Sequence, residues 1–150
     1  MTRSHRLFDI STTPSFAVVL LIALGLLMAT GCGDGHPKCI KVSGVVTYRG
    51  KPIENAGVTF MPKGAHPASG KTDAAGRFTL TSFVPGDGAA VGDHVVCISK
   101  MERDPKDKTN SPYPKMISVL PSKYAALQGS PLKATVTASG PNDFRFDLTD

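Results

Sequence analysis

Among its 150 residues the chain has no tryptophan, three tyrosines and three cysteines. Without tryptophan it lacks the flat platforms on which most sugar-binding modules stack a pyranose ring, and only Tyr48, Tyr113 and Tyr124 can stand in. The spacing Cys32, His36, Cys39 opens like a metal site, but no second Cys/His pair follows to complete four ligands. Asp87 and Asp93, set among Gly86, Gly88 and Gly92, lack the one-three-five order and closing glutamate of a calcium loop, so turn chemistry accounts for them. No metal and no cofactor are expected. The 17 Lys and Arg residues are scattered and form no run that would track a phosphate backbone, which excludes nucleic acid as an expected partner. There is no His-Glu-x-x-His, no Gly-x-Ser-x-Gly elbow and no phosphate-binding glycine loop. His36, His66 and His94 are read as surface or half-buried structural groups, and no catalytic residue is assigned.

What the chain does have is one apolar run, Phe16 to Ala29, of about 14 residues. That is short of the roughly 20 needed to span a hydrocarbon core, and it follows Arg3 and Arg6, so it reads as a signal peptide. The run ends at Ala29-Thr30-Gly31-Cys32, which resembles the bacterial lipobox, with Ala29 where leucine is usual. The resemblance implies cleavage before Cys32 and a diacylglycerol and palmitate modification of its thiol. An ordinary signal-peptidase cut nearby, or a retained apolar segment, is the alternative. Asp34 sits one place beyond the position where aspartate holds some lipoproteins in the inner membrane, so the outer membrane is favoured. Losing Arg3, Arg6 and Asp9 with residues 1–31 lowers the formal charge from +5 to +4. Residues 32–39, rich in glycine, read as a lipidated tether.

From Ile40 onward, short apolar or β-branched segments alternate with Gly, Pro, Asn and Asp, the spacing of an all-β domain. Ile40, Val42, Val46 and Tyr48 share one face of a first strand, and a second runs from Val58 to Met61. Lys63 to Gly70 is expected to be a polar loop. In Asp73-Ala74-Ala75-Gly76-Arg77-Phe78 an aspartate able to cap its own turn precedes a glycine able to take positive φ, and the strand Phe78 to Thr81 follows. His94 to Lys100 alternates His94, Val96 and Ile98 against Val95, Cys97 and Ser99. Lys100 to Pro114, charged and without apolar period, is expected to be a mobile excursion. Leu132 to Val136, a turn at Gly140-Pro141-Asn142 and the half-buried strand Phe144 to Leu148 complete the pattern. The expectation is a single antiparallel β-sandwich of about seven strands over residues 40–150, one domain with one core.

Val42-Ser43-Gly44-Val45-Val46, Gly50-Lys51-Pro52-Ile53-Glu54-Asn55-Ala56-Gly57-Val58 and Thr72-Asp73-Ala74-Ala75-Gly76-Arg77-Phe78 together resemble the carboxypeptidase regulatory-like domain. Phe83-Val84-Pro85-Gly86-Asp87-Gly88-Ala89 and Pro121-Ser122-Lys123-Tyr124 are similar to small bacterial lipoproteins built from that one domain. The resemblance implies a transthyretin-like (prealbumin-like) sandwich with no catalytic residues and no known ligand.

Two further sites remain open. Tyr113, between Pro112 and Pro114, is the candidate ligand-facing aromatic. Cys39 and Cys97 both alternate away from the apolar face, and export would oxidise a pair that met. They form a disulfide if their strands are neighbours and stay apart if they lie in different sheets. The function these readings support is a non-catalytic, lipid-anchored envelope module, held to membrane lipid through Cys32, for protein binding or envelope structure in the periplasm or at the cell surface. A carbohydrate-binding module is the alternative.

Overall fold

In Gly92-Asp93-His94-Val95-Val96-Cys97-Ile98-Ser99 the even-numbered side chains from His94 to Ile98 are buried and the odd ones are exposed or half-buried, a period of two that only an extended strand satisfies. This strand is the spine of the domain. The structure, a computed structural model, describes residues 37–150. The leader and Cys32 lie outside the described residues.

Within them the chain makes twelve short strands and one helical turn. They are β1 (Cys39–Ile40), β2 (Ser43–Tyr48), β3 (Lys51–Pro52), β4 (Gly57–Pro62), β5 (Ala68–Lys71), β6 (Arg77–Thr79) and β7 (Ala89–Ala90). After these come β8 (Gly92–Ser99), β9 (Met101–Arg103), β10 (Met116–Ser118), α1 (Ser122–Ala125), β11 (Lys133–Val136) and β12 (Asp143–Leu148). One four-stranded sheet runs β11-β8-β4-β5, antiparallel throughout. In the other, β2 carries β12 on one side and β3 and β6 on the other. An isolated bridge between Ser69 and Thr81 joins the two sheets along one side. Pairs β1-β7 and β9-β10 form two further ribbons.

Side chains from both four-stranded sheets meet in one apolar cluster. Phe60, fully buried on β4, has ring centroids 6.3 Å from Phe78, 5.5 Å from Phe144 and 6.1 Å from Phe146, all on or beside the opposing sheet. Val42, Val46, Phe146 and Leu148 fall on the inward face, as their alternation requires. His94 also points inward: it is buried, its Nε2 lies 2.8 Å from the Ala90 carbonyl and its ring is 5.6 Å from that of Phe60.

Several expectations are corrected. Strand β12 runs parallel to β2, from Asp143 beside Ser43 to Leu148 beside Tyr48, so the pairing is not wholly antiparallel. No hairpin constrains strands this far apart in sequence. Direction is set instead by the turn at Asn142, whose carbonyl accepts from Ser43 N at 3.0 Å and starts β12 where β2 starts. The region expected as a polar loop at Lys63 to Gly70 contains the start of β5, whose small residues carry no apolar signal. The expected excursion from Lys100 opens with β9, which pairs with β10, and both strands are exposed on both faces. Strands of two or three residues raise the total above the seven expected. Asp93 is not a turn residue; it accepts from the Thr135 hydroxyl on neighbouring β11 at 2.6 Å.

The spine gives the domain two ends. Seven residue steps from Gly92 to Ser99 span about 23 Å. At the Gly92 end lie β1, where the chain enters, and the loops 81–88 and 137–142, because Cys39 pairs with Ala90 and Val136 with Gly92. At the Ser99 end lie the β9-β10 arm and the Asp73 turn, because Gly57 pairs with both Ser99 and Lys71. Among the described residues no helix is long and apolar enough to cross a membrane.

Candidate functional site

The arm at the Ser99 end concentrates what the body does not use. Met101, Met116 and Ile117 on its two strands are exposed, and Tyr113 on the connecting loop is 88% exposed. The loop is nonetheless ordered by its carboxylates. Asp107 accepts from Thr109 N at 2.9 Å, the Thr109 hydroxyl at 2.6 Å and Lys115 N at 2.7 Å. The Thr109 hydroxyl, then the Thr109 and Lys115 amides, hold the Asp107 carboxyl below the usual carboxylate range. Buried Asp104 accepts from Lys106 N at 2.9 Å and sits 3.3 Å from Lys115 Nζ. Arg103 donates to the carbonyls of Asp107 and Thr109. Around them lies an open cleft of about 470 Å³ that Lys106, Ser111 and Tyr113 also line. Its lining is charged and polar apart from the Tyr113 ring.

A second concavity, of about 640 Å³, lies on the outer face of the β11-β8-β4-β5 sheet. Met61, Val95 and Leu127 make it largely apolar, with Lys63 and Lys133 at its rim. Sequence reasoning missed it. The available signal was Val95, an apolar residue at an outward position of β8, next to Met61 and Lys133 in register.

The remaining residues singled out by sequence fall in separate places. Asp73 Oδ1 accepts from Ala75 N at 2.9 Å and from Arg77 N at 2.8 Å, and Gly76 takes φ +73° in the same turn. A Cβ at Gly76 would overlap the Val46 carbonyl, so both conformation and space require glycine there. Cys39 and Cys97 are not bonded to each other in this structure. Cys39 belongs to the β1-β7 ribbon, whereas Cys97 stands opposite Thr59 within the four-stranded sheet. Five residue steps, about 16 Å, separate Cys97 from Gly92 at the Cys39 end, far beyond the roughly 7 Å that a bridge allows. Burial pushes the Cys97 thiol up, away from a reactive thiolate. Tyr48 donates to Asp150 at 2.5 Å, and Tyr124 is buried with its hydroxyl 3.0 Å from the Thr149 carbonyl, so of the three tyrosines Tyr113 alone is fully presented.

No family model matches the chain, and no curated protein matches it. Among solved structures, a 9R-lipoxygenase from Cyanothece PCC8801 aligns over 87% of this chain at 14% identity, with a TM-score of 0.36. The chain spans 20% of that lipoxygenase's length, and a likeness this loose bears on neither fold nor activity.

Proposed function

We propose that the chain is an exported lipoprotein, anchored through Cys32, whose domain is a non-catalytic module that binds a protein partner through the β9-β10 arm. On this reading the two four-stranded sheets are the layers of a transthyretin-like β-sandwich of the carboxypeptidase regulatory-like type, with departures at the parallel β12 and the added arm. The anchor sits in the bacterial envelope, with the outer membrane favoured. The observation that carries the binding role is the arm itself: Met101, Met116, Ile117 and Tyr113 are exposed together at the end of β8 remote from the chain's entry. Methionine and tyrosine are enriched in protein interfaces, and Met101 and Tyr113 each leave more than half of their surface open to solvent. A sugar-binding role is the second reading, favoured by the exposure of Tyr113 beside the cleft. One aromatic without a second platform makes it the weaker of the two.

Two experiments test this. Palmitate should label the wild-type chain and not Cys32→Ala; equal labelling, or none, removes the anchor. Capture from envelope extract, run beside a glycan array, should yield a protein partner that is lost with Met116→Asp. Glycan hits that depend on Tyr113, with no protein partner, would favour the sugar-binding reading.

A further inference from the structure

At the Gly92 end, Val84 is 57% exposed and Val91 is 52% exposed. Val91 follows Ala90, the residue paired with Cys39, and Val84 lies on the loop whose Gly88 packs against Ile40. Both apolar side chains therefore flank the point where the chain enters the domain. Lys38, Lys41 and Lys63 surround the same end, exposed, and pair with no carboxylate among the described residues. Three carboxylates share the end, and each is engaged by the chain's own donors. Asp87 accepts from Ser82, Phe83 and Val84 N–H, Asp93 from Thr135 and Asp143 from Ser43. The seven residue steps from Cys32 to Cys39 reach at most about 25 Å, roughly one domain length.

We propose that this end, with Val84 and Val91 as apolar contacts and Lys41 and Lys63 as cationic ones, rests on the surface of a bilayer containing anionic phospholipid. The inference rests on the anchoring of Cys32 proposed above. Apolar side chains beside lysines are the combination that binds the headgroup region: methyl groups enter the acyl boundary while ammonium groups stay with the phosphates. The short tether keeps the end within about 25 Å of the surface, so that it repeatedly comes within the roughly 8 to 10 Å Debye length over which that attraction is felt. The arm, about 23 Å away along β8, is thereby turned outward, free for a partner.

The absence of tryptophan supplies the test, because any introduced indole is the sole one in the chain. Full-length, lipidated Val84→Trp, Val91→Trp and Tyr113→Trp are compared on phosphatidylcholine vesicles with and without phosphatidylglycerol, with brominated acyl chains as quencher. Indoles at 84 and 91 should be quenched severalfold more than the one at 113, and only on the anionic vesicles. Adding Lys41→Glu and Lys63→Glu, or raising salt, should abolish the difference. Chains that float with the vesicles but show equal quenching at 84, 91 and 113, or none, overturn the docking and leave the anchor intact. A chain that floats with neither vesicle overturns the anchor and the docking together.

Discussion

The two ends of β8 solve the same local problem and then diverge. Each carries a loop held by one aspartate: Asp87 gathers Ser82, Phe83 and Val84 N–H at the entry end, and Asp107 gathers Thr109 and Lys115 N–H on the arm. The Asp87 loop closes over the core, since Leu80 and Ala89 on either side of it are fully buried and Gly88 lies against the Ile40 carbonyl. The Asp107 loop closes over no apolar core: its one buried side chain is Asp104, and the strands that carry it bury none. A carboxylate turn can thus be packed into the fold at one end and stand clear of the core at the other. What it packs on decides which, not its hydrogen bonds.

If the body holds the stability, its central ring should matter most. Phe60→Ala removes a fully buried side chain that touches rings from the opposing sheet, and should cost about 3 to 5 kcal/mol, read by denaturant titration. A loss below about 1 kcal/mol would mean that the two sheets do not share one core. Next comes Gly76→Val, which combines a left-handed backbone with overlap on the Val46 carbonyl and should cost more than the roughly 1 to 2 kcal/mol of conformation alone. An unchanged melting temperature would show the Asp73 turn to be misassigned.

The same substitution at the two aspartates sharpens the contrast. At Asp87 burial works to raise the pKa, but the Ser82, Phe83 and Val84 amides outweigh it, so the folded value lies below the ordinary 3.8. A depressed folded pKa contributes stability that is present above the unfolded value and is lost as pH falls through the folded one. Asp87→Asn should therefore destabilise by about 1 kcal/mol at neutral pH, a figure reduced for solvent exposure, with the gap to wild type closing below about pH 4. Asp107→Asn should speed amide exchange in residues 107–115 and leave the melting temperature where it was; the same acid window should loosen that loop in the wild type, since its carboxyl is also held low. Smallest of all, Met116→Asp and Tyr113→Ala should change stability by no more than about 0.5 kcal/mol while abolishing partner capture. A large loss of stability from either would make the arm part of the core.

What could be read from sequence follows the same division. Phe144, Phe146 and Leu148 declare their face because one side of β12 is buried, and Asp73 with Gly76 declares a turn because both residue types have a local reason to be there. Met101–Arg103 and Met116–Ser118 declare nothing, since a strand exposed on both faces has no period to detect. Two-residue strands such as Cys39–Ile40 and Ala89–Ala90 are too short to show one. The parallel course of β12 and the separation of Cys39 from Cys97 depend on which strands become neighbours, and local residue types do not encode that. Among the candidate sites, Tyr113 was legible from its flanking prolines. The outer groove was not, because Val95 read as a routine strand residue until Met61 and Lys133 were placed beside it.

Photo-cross-linking from both ends of the full-length chain in intact cells tests most directly the claim that they face different surroundings. A photoreactive phenylalanine analogue is placed at Val84 in one variant and at Tyr113 in another. The account predicts lipid adducts from position 84 and a discrete protein adduct from position 113. Protein adducts from 84 with lipid adducts from 113, or the same products from both, would contradict it.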